Sequence, residues 1–531
     1  MTLLAGFLDV LLRGVGLLAL CAAAGGVAYA VFVLPALSRG VSAAAAPLRR
    51  VLGLIALGAL VLAGSRAVVL FVLHPWVLAD ADGHWPVGQF AATDFGHASL
   101  IGIGLALALG ATAARLRARS TARTGWIALV ALSAAVLANS GWLAHAVSRL
   151  EGRGGLMLVT VLHQMGAVLW VGGLMHLARS WRAPLPPDAM ARFSFLAMAG
   201  VALVVAPGVG LALGYVGDWG ALIGTGYGVM VLTKIALMAS ALVLGALNYR
   251  LVRRWTSGAA ARLPSDRVRP FVEAEVGIGL TVLFAAASLT SLPPAVDVVA
   301  DRASPAEVLV RFEPKLPRLT SPPVAQLLAA AAPIDDTLSK RQPEEYAWSE
   351  YNHHMAGVFV FAMGVLAVLD RTGRVRWARH WPLLLLGLAG FMFVRNDPRA
   401  WPLGPAGFWE TMTLPDVLQH RLVVLLVVGL GLFEWLVRLG VLARPGWRLV
   451  FPILCAMGGG MLLTHSHAMF NLKNEFLAEV SHAPMGSLGV FMGWGRWLEL
   501  RLPSSDRAVP GWVWSVSLLL IGSILLVYRE A

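Results

Sequence analysis

The chain has 531 residues, of which 58% are hydrophobic and 13% charged, with a mean hydropathy of +0.73. That balance excludes a soluble globular enzyme and a disordered polar chain, and it points to a membrane protein. The net charge of +13 does not indicate nucleic acid, because the arginines sit in short loops between apolar runs.

Apolar stretches of about 20 residues recur along nearly the whole chain, each long enough to cross a ~30 Å hydrocarbon core. The expected fold class is all-α: a polytopic membrane protein with about 14 transmembrane helices in two bundles, eight and then six. The predicted spans are 8–36, 49–73, 96–115, 125–146, 155–178, 193–215, 227–250, 270–296, 352–370, 380–395, 417–438, 448–466, 475–496 and 510–528. The first run lacks a basic n-region, so it reads as a spanning helix rather than a cleavable signal. Cys21 and Cys455 both fall inside apolar runs, give no disulfide framework or zinc spacing, and read as small apolar core residues.

Every second loop is basic. Arg39, Arg49 and Arg50 share one, and Arg115, Arg117, Arg119 and Arg123 the next; the series continues to Arg496, Arg501 and Arg507. The intervening loops carry acids such as Asp80, Asp218 and Asp397. This alternation predicts a bacterial inner-membrane protein with both termini on the periplasmic side. The segment 297–351 is rich in proline and too long for a tight loop. It divides the chain into a first module, 1–296, an outer-side connection, 297–351, and a second module, 352–531. The stretch 324–332 within it is expected to form a short surface helix.

Within the first module, Arg192-Phe193-Ser194-Phe195-Leu196-Ala197 is followed by Gly208, Thr225-Gly226-Tyr227-Gly228, Lys234 and Leu247-Asn248-Tyr249-Arg250. The preceding helix runs His-Gln-Met-Gly-Ala-Val-Leu-Trp-Val-Gly-Gly from His163 to Gly173. These motifs resemble the domain of the CopD-type copper-resistance membrane proteins, most clearly over residues 155–255. The last 180 or so residues match no family pattern, so a fusion is implied. The resemblance implies copper handling at the inner membrane, beside a periplasmic copper-binding partner of the CopC type.

The residues themselves are compatible with that reading. His97 begins the third span on the outer side, His145 ends the fourth, and His163 lies about 12 Å into the fifth. Asn139 lies at similar depth. Polar groups there face the bundle interior, and Lys234 is an intramembrane charge of the kind that marks functional sites. His163, Gly166, Trp170 and Gly173 share one helical stripe suited to close helix contact.

The second module concentrates histidine and methionine at one membrane face. His353, His354 and Met355 open one apolar run and His420 a second; His465, His467 and Met469 close a third, and His482 with Met485 lies early in a fourth. Thioether sulfur suits Cu(I), and imidazole suits either oxidation state. His465 and His467 are about 200° apart on a regular helix and serve one ion only if the helix ends there. Glu475, Glu479 and His482 form one stripe at i, i+4 and i+7, an acidic approach to an imidazole. Three functions compete. The first is copper transport or delivery without covalent chemistry. The second is a haem b redox protein using pairs among His354, His420, His467 and His482. The third is an assembly factor that hands copper to an oxidase. No phosphate-binding loop or nucleophile elbow is present in the sequence. The expected partners are membrane lipid and the CopC-type protein, not nucleic acid.

Overall fold

The computed structural model describes residues 2–35, 45–82, 85–119, 122–144, 147, 149, 152–181, 185–330, 342–395, 397–398, 400–412, 415–465 and 473–530. Among these residues there are helices and turns but no β-strand, and 13 helices are long and apolar enough to cross a membrane. The protein is an all-α, multi-pass membrane protein. Its spans are α1 (Ala5–Phe32), α2 (Ala46–Ala79), α3 (Asp94–Ala118), α4 (Arg123–Leu143), α5 (Arg153–Ser180), α6 (Pro187–Tyr215), α7 (Gly226–Thr256) and α8 (Ser265–Leu289). They continue with α9 (Pro343–Arg371), α10 (Arg376–Arg395), α11 (His420–Arg438) and α12 (Pro445–Thr464). A further helix, α13 (His482–Arg501), is followed by the last apolar one, α14 (Ala508–Leu526). The chain forms two compact units: Met1–Arg302 with Thr464–Asn471, and Ala303–Leu463 with Leu472–Ala531.

In the first unit, α1 and α5 cross through two π-turns, Cys21–Gly25 and Val168–Gly172. A methyl group on Gly25 or Gly172 would overlap the backbone of the facing helix, so only glycine permits this approach. Gly166 on α5 and Gly200 on α6 make a second contact of the same kind. Small residues carry such crossings because lipid supplies no hydrophobic drive between helices, which leaves van der Waals packing to hold them. His176 is fully buried at the first crossing, where its Nε2–H donates to the Ala22 carbonyl at 2.8 Å and its ring stacks on Tyr29.

In the second unit, Gly357 and Gly364 of α9 pack against the backbone of α14, and Gly522 of α14 against α9. Gly459 of α12 meets Gly486 and Gly489 of α13 in the same way. Ten residues of α13 are buried. That burial explains why α13 is too polar for the apolar set: it faces protein rather than lipid.

Two predicted boundaries shift. The span expected at 352–370 begins at Pro343, where proline at the first turn and a Gln342–Glu345 capping box start the helix. The span expected at 475–496 is two helices, Lys473–Glu479 and α13, separated at Val480 and Ser481. Pro484 causes the break, since its ring clashes with the carbonyl four residues back and it has no N–H to give. The continuous Glu475–Glu479–His482 stripe is therefore interrupted. The surface helix expected from residue 324 runs Val324–Ala330.

Candidate functional site

The second unit brings His353 and His482 together. Their ring centroids are 5.9 Å apart and nearly perpendicular, and Tyr528 stacks on His353 at 4.1 Å. His353 Nδ1 lies 2.9 Å from the Ser349 carbonyl, and His482 Nδ1 lies 3.1 Å from the Glu479 carbonyl. A carbonyl only accepts, so each Nδ1 carries the proton in these bonds. The Glu530 carboxylate is 3.9 Å from His353 Nδ1, and the Tyr528 hydroxyl donates to the Ala478 carbonyl at 2.8 Å. Met485 is buried one turn beyond His482, and Met355 is half-buried on α9. Tyr528 and Glu530 lie past the last apolar run, where nothing but an aromatic at the membrane edge marks them in the sequence.

His354 has a different task. It is fully buried; its Nδ1 accepts from the Arg318 N–H at 2.7 Å, and its Nε2–H donates to the Tyr528 carbonyl at 2.7 Å. Both ring nitrogens are engaged, so His354 fastens the 311–318 strap and the chain after α14 rather than presenting a lone pair. His420 Nδ1 lies 2.9 Å from Asp397. These two engagements leave no observation in favour of a haem b pair. The Glu350 carboxylate is paired, since Lys315 Nζ holds it at 2.5 Å and Arg318 lies 3.7 Å away. Glu475 and Glu479 are half-buried on the helix before the break. His465 ends its helix, and its side chain, with His467 and Met469, lies outside the described residues. Among the described residues, no three His, Cys, Asp or Glu side chains form a group that would hold a metal ion.

In the first unit the polar residues are held separately. His163 Nδ1–H donates to the Val204 carbonyl at 2.8 Å, with Gly208 against its ring. Lys234 is half-buried on α7, close enough to His163 to interact electrostatically. Asn139 is fully used: it accepts from Arg66 and donates to the Ala98 carbonyl, each at 3.0 Å. The Arg66 guanidinium puts a positive charge at this point of the bundle, so Asn139 anchors that charge rather than a metal. Ser140 donates to Gln164, which ties α4 to α5 beside His163. His97 is exposed, and His145 lies outside the described residues. Sequence reasoning passed over Arg66, and also Asp9, which bonds Arg13 at 2.5 Å and lies 3.3 Å from His74.

The remaining motif residues of this unit have local reasons. Thr225 caps α7 by accepting from Gly228 N–H at 3.0 Å, and a side chain on Gly228 would strike the Ala221 and Leu222 carbonyls. Asn248 reaches across to α8 and donates to the buried Glu275. Residues 187–289, which are α6, α7 and α8 with their loops, match the family model of copper resistance protein D, CopD. This stretch is similar to a CopD-type domain. The copper transport protein CutJ of Bacillus subtilis (strain 168) is 30% identical over 175 residues, covering 32% of this chain and 31% of that protein. The chain therefore aligns with about a third of its relative's length. No solved structure matches. The CopD match extends beyond the motifs first noticed to include α8, which carries Glu275.

Proposed function

We propose that the chain moves copper across, or delivers it at, the bacterial inner membrane without covalent chemistry. The CopD-type match over residues 187–289 carries this reading, and the likeness to a copper transport protein supports it. Copper is the cargo. His353 and His482 receive it at the periplasmic face, with Met485 as a thioether ligand that favours Cu(I). The Ser349 and Glu479 carbonyls orient the two imidazoles. His420, His465, His467, Met355 and Met469 are further ligands on the same face, and a CopC-type protein is the donor. In the first module, His97, His145 and His163 form the descending route.

The pairing of two histidines from different helices, with matching tautomers, supports the outer site. Copper affinity of the full-length protein in detergent, measured for each single His→Ala variant, tests it. His353→Ala and His482→Ala should weaken binding at least about tenfold. Wild-type affinity in both variants sinks the site, and absence of copper binding by the wild-type chain sinks the copper reading itself.

A further inference from the structure

Two buried polar groups meet on the wall of an apolar groove between α6, α7 and α8. Glu275 of α8 is 4% exposed, and Asn248 of α7 donates an amide N–H to it. Among the described residues this is the only hydrogen bond that Glu275 makes, and no cation pairs with it. Asn248 Oδ1 is buried with no hydrogen-bond partner among them. The charged groups on the elements packed around this pair serve elsewhere. On α8, Arg269 pairs with Glu273, and on α6, Arg192 donates to the Phe32 carbonyl. On α5, His176 is bonded to the Ala22 carbonyl of α1. On α1, Arg13 pairs with Asp9 and adjoins Gly14, which meets Phe284, nine residues past Glu275. On α7, Tyr249 lines the groove and Arg250 is exposed just beyond it.

An ionised carboxylate buried with a single N–H donor is costly, and so is a buried amide oxygen with no donor. One proton removes both costs. The neutral acid offers an O–H, and Asn248 Oδ1 is the acceptor on the amide it already touches. The second amide N–H does not change this, because a donor on the same group cannot serve Oδ1. Amide orientation does not change it either. Turned over, Oδ1 faces a carboxyl oxygen, and only a proton makes a contact between two acceptors favourable. We propose that Glu275 and Asn248 form a proton-binding site, in which the protonated carboxyl closes on the amide and joins α7 to α8. Its place says which side supplies the proton. Asn248 stands two residues before Arg250, and Glu275 six past Arg269. These are about 3 Å and 9 Å along their helices from the basic ends, at 1.5 Å per residue. The positive-inside bias predicts those ends to be the inner ones. Loss of the proton removes the O–H bond and leaves a charge that draws water into the groove. The inference is independent of the copper reading.

Dicyclohexylcarbodiimide tests the protonated state on the wild-type, full-length protein. It partitions into apolar sites, and a neutral carboxyl adds across one of its C=N bonds. The acid proton goes to nitrogen and the carboxyl oxygen to the central carbon, with no leaving group. After treatment at pH 7, peptide mass spectrometry should find Glu275 modified at least about tenfold more than the exposed Glu313. Infrared difference spectra give a second reading. Wild type minus Glu275→Gln at pH 7 should show the C=O stretch of a neutral carboxylic acid, and raising the pH should remove it. That band should shift in Asn248→Leu, which takes away both partners of the carboxyl. Modification of Glu275 no greater than that of Glu313 overturns the proposal, whether or not either variant folds. So does a difference spectrum that contains carboxylate bands alone. An unmoved band in Asn248→Leu separates the proton from the amide and overturns the paired site.

Discussion

Two adjacent histidines on α9 illustrate how position on a helix divides labour. His353 shares its neighbourhood with His482 and Tyr528, while His354, about 100° further round, is enclosed by the Arg318 and Tyr528 backbones. Their alanine variants should therefore separate. His354→Ala strands a buried N–H and a buried carbonyl, at about 1–3 kcal/mol each. It should lower the unfolding midpoint clearly while changing copper affinity less than His353→Ala does. His163→Ala should alter copper accumulation in cells at unchanged expression; wild-type accumulation would make that ring a packing residue for Val204. That these histidines stand near the ends of apolar runs was legible in the sequence. Their partners were not, since Tyr528 lies 174 residues from His354 and Arg318 lies 36 away. Arg66 and Glu275 were available signals of a simpler kind. Each is an ionisable group lying deeper in a predicted span than the charges at its edge, and such residues are functional or structural anchors by default.

At the scale of elements, polar contacts tie the second unit together near one end of its helices. Arg371 on α9 bonds Glu499 on α13, which also accepts from Trp514 on α14 at 2.6 Å and from Arg496 at 2.5 Å. Arg438 on α11 bonds Asp370 and Glu434, each at 2.8 Å. Removing one charge of this half-buried network strands its partners, at less than the ~3–5 kcal/mol of a fully buried pair. Glu499→Gln should therefore lower the unfolding midpoint far more than substitution of an exposed acid such as Glu313; equal effects would mean the network is solvated. A surface pair gives a pH-dependent counterpart. The Lys473 side chain, with the Ser304 backbone and hydroxyl, holds Glu307 well below its ordinary value of 4.5, at about 2. A lowered folded-state value adds stability above pH 4.5, and that contribution fades as pH falls toward 2. The difference in midpoint between wild type and Glu307→Gln should thus hold constant from pH 7 to about pH 5 and narrow as pH falls below 4.5. In the first unit, Gly228→Ala should cost about 1–3 kcal/mol through collision with the preceding turn. Element existence was legible from apolar length. The start of α9 was missed because its first nine residues carry three glutamates and no aliphatic run, although Pro343, Glu344 and Glu345 are ordinary helix-start residues.

At the scale of the whole molecule, the fourteenth crossing rests on α13, which hydropathy alone does not mark. Its neighbours on α9 supply the argument. His482, at the start of α13, lies against His353, and Glu499, near its end, bonds Arg371. Both helices therefore run side by side over 17 or 18 residues, about 27 Å at 1.5 Å per residue, nearly a full hydrocarbon core. Parity depends on this crossing. With fourteen spans, the alternating arginine loops all share one face, which the positive-inside bias predicts to be the inner one, and residues 297–351 share the other. Without α13, the loop holding Arg501 and Arg507 moves to the outer face. Single cysteines decide between these in a background with Cys455 replaced by alanine, since Cys21 is already buried. Leu316 is 89% exposed on the 303–330 segment, Ser257 is exposed between α7 and α8, and Ser505 is exposed between α13 and α14. Leu316→Cys should react with an impermeant maleimide in intact spheroplasts. Ser257→Cys and Ser505→Cys should react only after the membrane is opened. Labelling of Ser505→Cys in intact spheroplasts would remove α13 from the spans and move the end of the chain to the other face. Protection of Leu316→Cys would invert the orientation and place the His353–His482 pair on the cytoplasmic side, where it would receive copper from within the cell.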